Sequence, residues 1–144
     1  MDDRELIKAL SRLLKTEIDA MHSYEQILPK IEDDIMRNRL TEFHHSREQH
    51  IEELTEMIVR MGGTPPEHTK DLKGYLIEGY SVLRSLTGTK GALKAVQSIE
   101  EMTNRYYDEV VSWKIDDNVS AMLKKHFSDV KIHLDYINSN LQAL

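Results

Sequence analysis

The chain has 144 residues, 31% charged and 40% apolar, with six glycines, three prolines and no cysteine; this suits one domain with its own core. A formal charge of −6 argues against nucleic acid or an anionic membrane as partner, and the lack of cysteine excludes disulfides and thiolate ligands. No apolar run approaches the roughly 18 residues of a membrane span, and Met1-Asp2-Asp3-Arg4-Glu5 lacks a signal-peptide core, so the expected location is cytoplasmic.

Residues from about 3 to 28 are predicted to form a helix, with Leu6, Leu10, Leu13, Glu17, Ala20, Tyr24 and Ile27 on one face. Pro29 and Glu32-Asp33-Asp34 interrupt it, and Asp33 or Asp34 can cap a second helix by accepting from its free first-turn amides. That helix runs to about Met61 along Met36, Leu40, Phe43, Arg47, His50, Leu54 and Met57, and Gly62-Gly63-Thr64-Pro65-Pro66 stops it. A connection from about 62 to 89 follows, with a short helix suggested by Leu72, Leu76, Tyr80 and Leu83. The third helix is expected from about 89 to 113 with Leu93, Val96, Glu100, Thr103, Tyr107 and Val110 inward. Asp116-Asp117 repeats the acidic cap, and the fourth helix turns Val119, Leu123, His126, Val130, His133 and Ile137 inward.

The two halves repeat without a gap. An offset of 83 residues relates Glu17 to Glu100, Tyr24 to Tyr107, Asp33 to Asp116, Leu40 to Leu123 and His50 to His133. This reads as one helical hairpin used twice, about 3–61 and about 89–144, in a single domain over 1–144. Each copy carries one carboxylate and one imidazole into a shared interior, where such groups are costly unless paired or metal-bound.

In these residues the chain resembles the ferritin-like di-iron carboxylate proteins, such as rubrerythrins and bacterioferritins. There a Glu from each of two helices joins a Glu-x-x-His from each of the other two. The resemblance implies an all-α, ferritin-like four-helix bundle of two hairpins joined by a long crossover containing a short helix. It implies Glu17, His50, Glu100 and His133 as metal ligands. It also places bridging glutamates at 47 and 130, where this chain has Arg47 and Val130. An intact site offers four carboxylates to two divalent ions; here Glu17 and Glu100 remain and Arg47 adds a positive charge. A standard di-iron centre, and with it oxidase or peroxidase activity, is therefore not expected.

Two states stay open. In one, the core is metal-free, Arg47 bridges the glutamates and the histidines donate to them. In the other, Glu17, His50, Glu100 and His133 hold one iron, zinc or manganese ion, with Asp129 or His126 as further ligands. Tyr24 and Tyr107, two turns beyond the glutamates, either orient a carboxylate or relay an electron near a metal, or are core aromatics with satisfied hydroxyls. A literal Glu-x-x-His at Glu42 and His45 falls on a polar stripe and should face water. His44 and Glu48 form a His-x-x-x-Glu, but the third helix lacks the histidines that hemerythrins need there. His22 and His68 are expected at the surface, and Trp113 at the core end or at an oligomer contact. The functions in view are metal handling or oxidative stress, and a non-catalytic bundle for self-assembly or protein–protein interaction. A homodimer is plausible from the resemblance alone.

Overall fold

Local chemistry at the helix ends sets the element boundaries. In a computed structural model, which describes residues 2–67 and 88–144, Asp2 accepts from the Glu5 amide at 2.9 Å and starts α1, Asp3–Ile27. Pro29 cannot supply the next helical N–H, and a short 3-10 turn, Leu28–Lys30, takes over. Asp33 then accepts from the Met36 amide at 2.9 Å and opens α2, Asp34–Arg60. Gly62 adopts φ +84°, a left-handed conformation that costs glycine little, and ends the helix. α3 spans Gly88–Val111. Asp116 accepts from Asn118 and Val119 at the start of α4, Asp117–Ala143. The bounds of α2 and α4 are related by the same 83-residue offset as the sequence repeat.

The described residues form four long helices and no strand. The short helix expected around Leu72 to Leu83 and the surface position expected for His68 lie outside the described residues. The third helix ends at Val111, two residues before the expected position, and Trp113 packs half-buried against the core end.

α1 packs on α2, α3 on α4, and the hairpins meet chiefly through α1 and α3, while α2 and α4 touch more sparingly. Facing two neighbours, α1 buries a wide face that adds Leu14, Thr16, Ile18 and Asp19 to the expected stripe. The apolar interior falls into two clusters. One gathers Leu10, Leu13, Leu54, Tyr107, Leu123 and Val130, and the other Tyr24, Ile27, Leu40, Phe43, Leu93 and Ile137. Each side chain taken out of water contributes about 1.5–3 kcal/mol. Between the clusters lies a polar layer carried by all four helices.

Candidate functional site

Glu17, Arg47, His50, Glu100, His126 and His133 are all buried, with no more than 3% exposure. Arg47 stands at the centre. Its Nη1 donates to Glu17 Oε1 at 2.5 Å and its Nη2 lies 2.5 Å from Glu100 Oε1. The second contact is an ion pair without hydrogen-bond alignment, since Arg47 Nη2 and Nε have no hydrogen-bond partner. The guanidinium thus reaches both glutamates, by one well-aligned bond and one electrostatic contact.

The tyrosines cross between the repeats. Tyr24 donates to Glu100 Oε1 at 2.7 Å, and Tyr107 donates to Glu17 Oε2 at 2.6 Å. Each hydroxyl holds the glutamate of the other hairpin. Both rings are fully buried, and each hydroxyl is satisfied by a carboxylate oxygen.

The two lobes are related by the repeat but differ in chemistry. On one side His50 lies face to face with His126, ring centroids 4.1 Å apart; on the other, His133 lies on Phe43 at 4.3 Å. His126 and Phe43 occupy equivalent positions in the two repeats, as do Asp129 and Ser46. His50 Nδ1 contacts Glu17 Oε2 at 2.7 Å and Nε2 contacts Asp129 Oδ2 at 2.8 Å. Asp129 therefore serves His50 across the α2–α4 gap rather than its helix neighbour His133. His126 Nδ1 lies 3.2 Å from the Tyr107 hydroxyl, and its Nε2 lies 3.5 Å from Glu53 at the rim. His133 Nδ1 stays 3.4 Å from Glu100 without a hydrogen-bond partner, so this imidazole does not donate to its glutamate as the metal-free alternative expected. Asp129, His126 and Glu53 add polar groups around His50 in the first lobe, whereas Phe43 covers His133 in the second.

Protonation follows from these neighbours. Burial would raise the carboxyl pKa of Glu17, but Arg47 and His50 outweigh it and keep the group well below the usual carboxylate range. Burial acts in the same way on Glu100, where Arg47 and then His133 prevail and lower it. His50 loses solvation, yet Glu17 and the Asp129 hydrogen bond push it up to about 9. Both of its nitrogens can then donate, one to each carboxylate. His126 is lowered to about 3, by burial first and by His50 second. At neutral pH the fully buried charges balance, Glu17 and Glu100 against Arg47 and His50, and the partly exposed Asp129 carboxylate on His50 adds one further negative charge.

These shifts make stability peak near neutrality. Neutral His126 stabilises the fold above the usual histidine value near 6.5 and loses that contribution as pH falls toward 3. Protonated His50 has the opposite sign: its contribution is full below about 6.5 and is lost as pH rises through about 9. Thermal midpoints should decline on both sides, and His50→Gln should flatten the alkaline limb specifically. An alkaline limb unchanged by that substitution would contradict the assigned protonation.

The four ligands expected from the resemblance do not form one coordination sphere. Among the described residues, the buried set whose donor atoms lie within 4.8 Å of one another is Glu17, His50 and His126. Glu100 and His133 stand in the second lobe beside Arg47. Val130 packs into the apolar cluster on the Tyr107 side, leaving no bridging carboxylate there. As expected, Glu42 and His45 are exposed. His22 differs from its expected place at the surface: it is half-buried, bonds Glu25 at 3.0 Å, and leaves Nε2 enclosed without a partner. Glu53 and the buried Asp19, whose carboxyl burial raises to about 6, were not singled out in the sequence. Asp19 directly follows Ile18 on the broad buried face of α1.

Residues 5–112 match the family described as a domain of unknown function, DUF2383, and the chain belongs to that family. A ferritin-like–encapsulin shell fusion protein of Pyrococcus furiosus is 26% identical over 129 residues, covering 89% of this chain and 35% of that protein. The chain thus spans about a third of the length of this curated relative. A conserved hypothetical protein from Mycobacterium tuberculosis superposes with TM-score 0.81 at 13% identity, covering 99% of this chain and 95% of the other. A ferritin-like di-iron-carboxylate protein from Bacillus anthracis gives 0.73 at 17% identity, covering 98% and 99%. Rhodobacter capsulatus bacterioferritin, solved with a metal-free dinuclear site and haem iron, gives 0.73 at 16%, covering 99% and 87%. The fold is the ferritin-like helical bundle, and no helix among the described residues is long and apolar enough to cross a membrane.

Proposed function

We propose that this ferritin-like DUF2383 chain acts in metal handling or oxidative stress through a rewired centre that takes one divalent ion or none, not two. The observation that carries this reading is the buried Arg47, within 2.5 Å of a carboxylate oxygen on both Glu17 and Glu100. A fixed guanidinium supplies the positive charge that two glutamates would otherwise seek from metal. Two irons do not fit this donor set, because positions 47 and 130 offer a cation and an apolar side chain.

One ion fits the lobe of Glu17, His50 and His126, with Asp129 beside it. One or two carboxylates with two imidazoles suit iron, zinc or manganese. Loading there requires His50 to give up a proton, so uptake weakens as pH falls. When bound, such an ion supplies Lewis acidity or, for iron, one-electron chemistry. Glu100 and His133, first expected among the ligands, remain the counter-charge and neighbour of Arg47 in this reading.

Elemental analysis after chelator-free, iron-supplemented purification tests it. The expected result is no more than one central ion per chain, lost on His126→Ala. A coupled di-iron signature in the wild-type protein would overturn the reading. A second reading, a non-catalytic bundle used for self-assembly or protein–protein interaction, including homodimerisation, is favoured over the first only if the ion-free protein also forms a stable oligomer or complex. The balance of the fully buried charges supports that alternative, because no ion is needed to offset them.

A further inference from the structure

We propose a second metal site on the outer face of α2, in which His44, His45 and Glu48 hold one zinc ion and Glu25 of α1 orients His44. It lies apart from the buried layer and does not depend on what the centre binds. His44 Nδ1 and His45 Nδ1 both approach Glu48 Oε1, at 3.2 and 3.1 Å. The three donors lie within 4.8 Å of one another. Ligands about 2.1 Å from zinc, at angles between square and tetrahedral, sit roughly 3.0–3.4 Å apart. The two nitrogen–oxygen separations already fall in that interval.

The charge pattern around His44 points the same way. Its other nitrogen, Nε2, lies 3.1 Å from Glu25 Oε2. When Nε2–H donates to Glu25, the neutral ring carries a lone pair on Nδ1, aimed toward a carboxylate oxygen. Two acceptors facing each other repel unless a cation or proton stands between them. The Glu25–His44 contact also has the form of the carboxylate–imidazole–zinc arrangement, which fixes the ring and raises its basicity. Glu25 is itself held by His22 Nδ1 at 3.0 Å. His44 is 15% exposed and so constrained, whereas the His45 side chain is 72% exposed, which leaves room for water on the ion. Two imidazoles, one carboxylate and an open position make a zinc donor set.

Calorimetric titration of the full chain with zinc chloride tests the proposal, alongside His45→Ala, Glu48→Gln, Glu25→Gln and His126→Ala. With His126→Ala as the background, so that the central lobe cannot contribute, the expected result is one saturable zinc event, abolished on adding His45→Ala or Glu48→Gln and weakened about 10–100-fold on adding Glu25→Gln. The exposed variants should keep the zinc-free thermal midpoint of the wild type. Zinc-dependent shifts of the His44 and His45 ring resonances give a second readout that needs no central variant. In that background, no saturable event, or one that survives both His45→Ala and Glu48→Gln, would overturn the site; a proton alone would then satisfy the cluster.

Discussion

Arg47→Ala is expected to destabilise the protein by about 3–5 kcal/mol, the cost of leaving buried carboxylates without their counter-charge. Glu17 and Glu100 are both fully buried and both face this guanidinium. For a chain of this size the loss corresponds to roughly 10 °C or more in thermal midpoint. The cavity left by a long side chain adds to it. Combining Arg47→Met with Glu17→Gln and Glu100→Gln should recover much of the loss. The amides cannot ionise, and their oxygens still accept from Tyr107 and Tyr24. A midpoint lowered by only a degree or two in Arg47→Ala would mean that the glutamates find another partner.

The second large effect is a gain. Arg47→Glu with Val130→Glu puts carboxylates at both positions where a di-iron relative carries bridging glutamates. Without metal this variant should be markedly less stable than the wild type, because four buried acids then share one interior. Adding ferrous or manganous ion should restore it strongly, since a ligand at a thousand times its Kd stabilises by about 4 kcal/mol. The wild type should show no rescue from a central ion pair. Differential scanning fluorimetry with and without metal makes the comparison, and a variant indifferent to metal would show that the missing glutamates are not what separates this centre from a di-iron one.

The helical layout was legible because the apolar period and the caps agree. Asp33 and Asp116 announce helix starts, Pro29 and Gly62 announce stops, and the 83-residue offset announces the hairpin repeat. The inward placement of Glu17, Arg47, His50, Glu100 and His133 follows from the same period, as each lies on an inward stripe and is buried. The pairing inside the layer was not legible. Nothing in the period says that Tyr24 serves Glu100 rather than Glu17, one hairpin away from its own glutamate. Nor does it say that Asp129 turns toward His50 across the narrow α2–α4 contact. These choices depend on how the hairpins dock, which local sequence does not encode.

The repeat nonetheless held a signal that becomes clear beside the structure. The positions that break its symmetry in this layer, Phe43 against His126, Ser46 against Asp129 and Arg47 against Val130, are the ones that make the lobes differ. A symmetric pair of lobes would favour two equivalent ions. Polar substitutions gathered on one side, with a guanidinium between the lobes, favour one ion or a balanced interior without any.

Anomalous diffraction from crystals grown with excess ferrous iron, recorded at the iron edge, addresses the central position of Arg47 most directly. The predicted map shows the guanidinium between Glu17 and Glu100, with at most one interior peak, beside His50 and His126. Two peaks between the glutamates, with Arg47 displaced from them, would contradict the account.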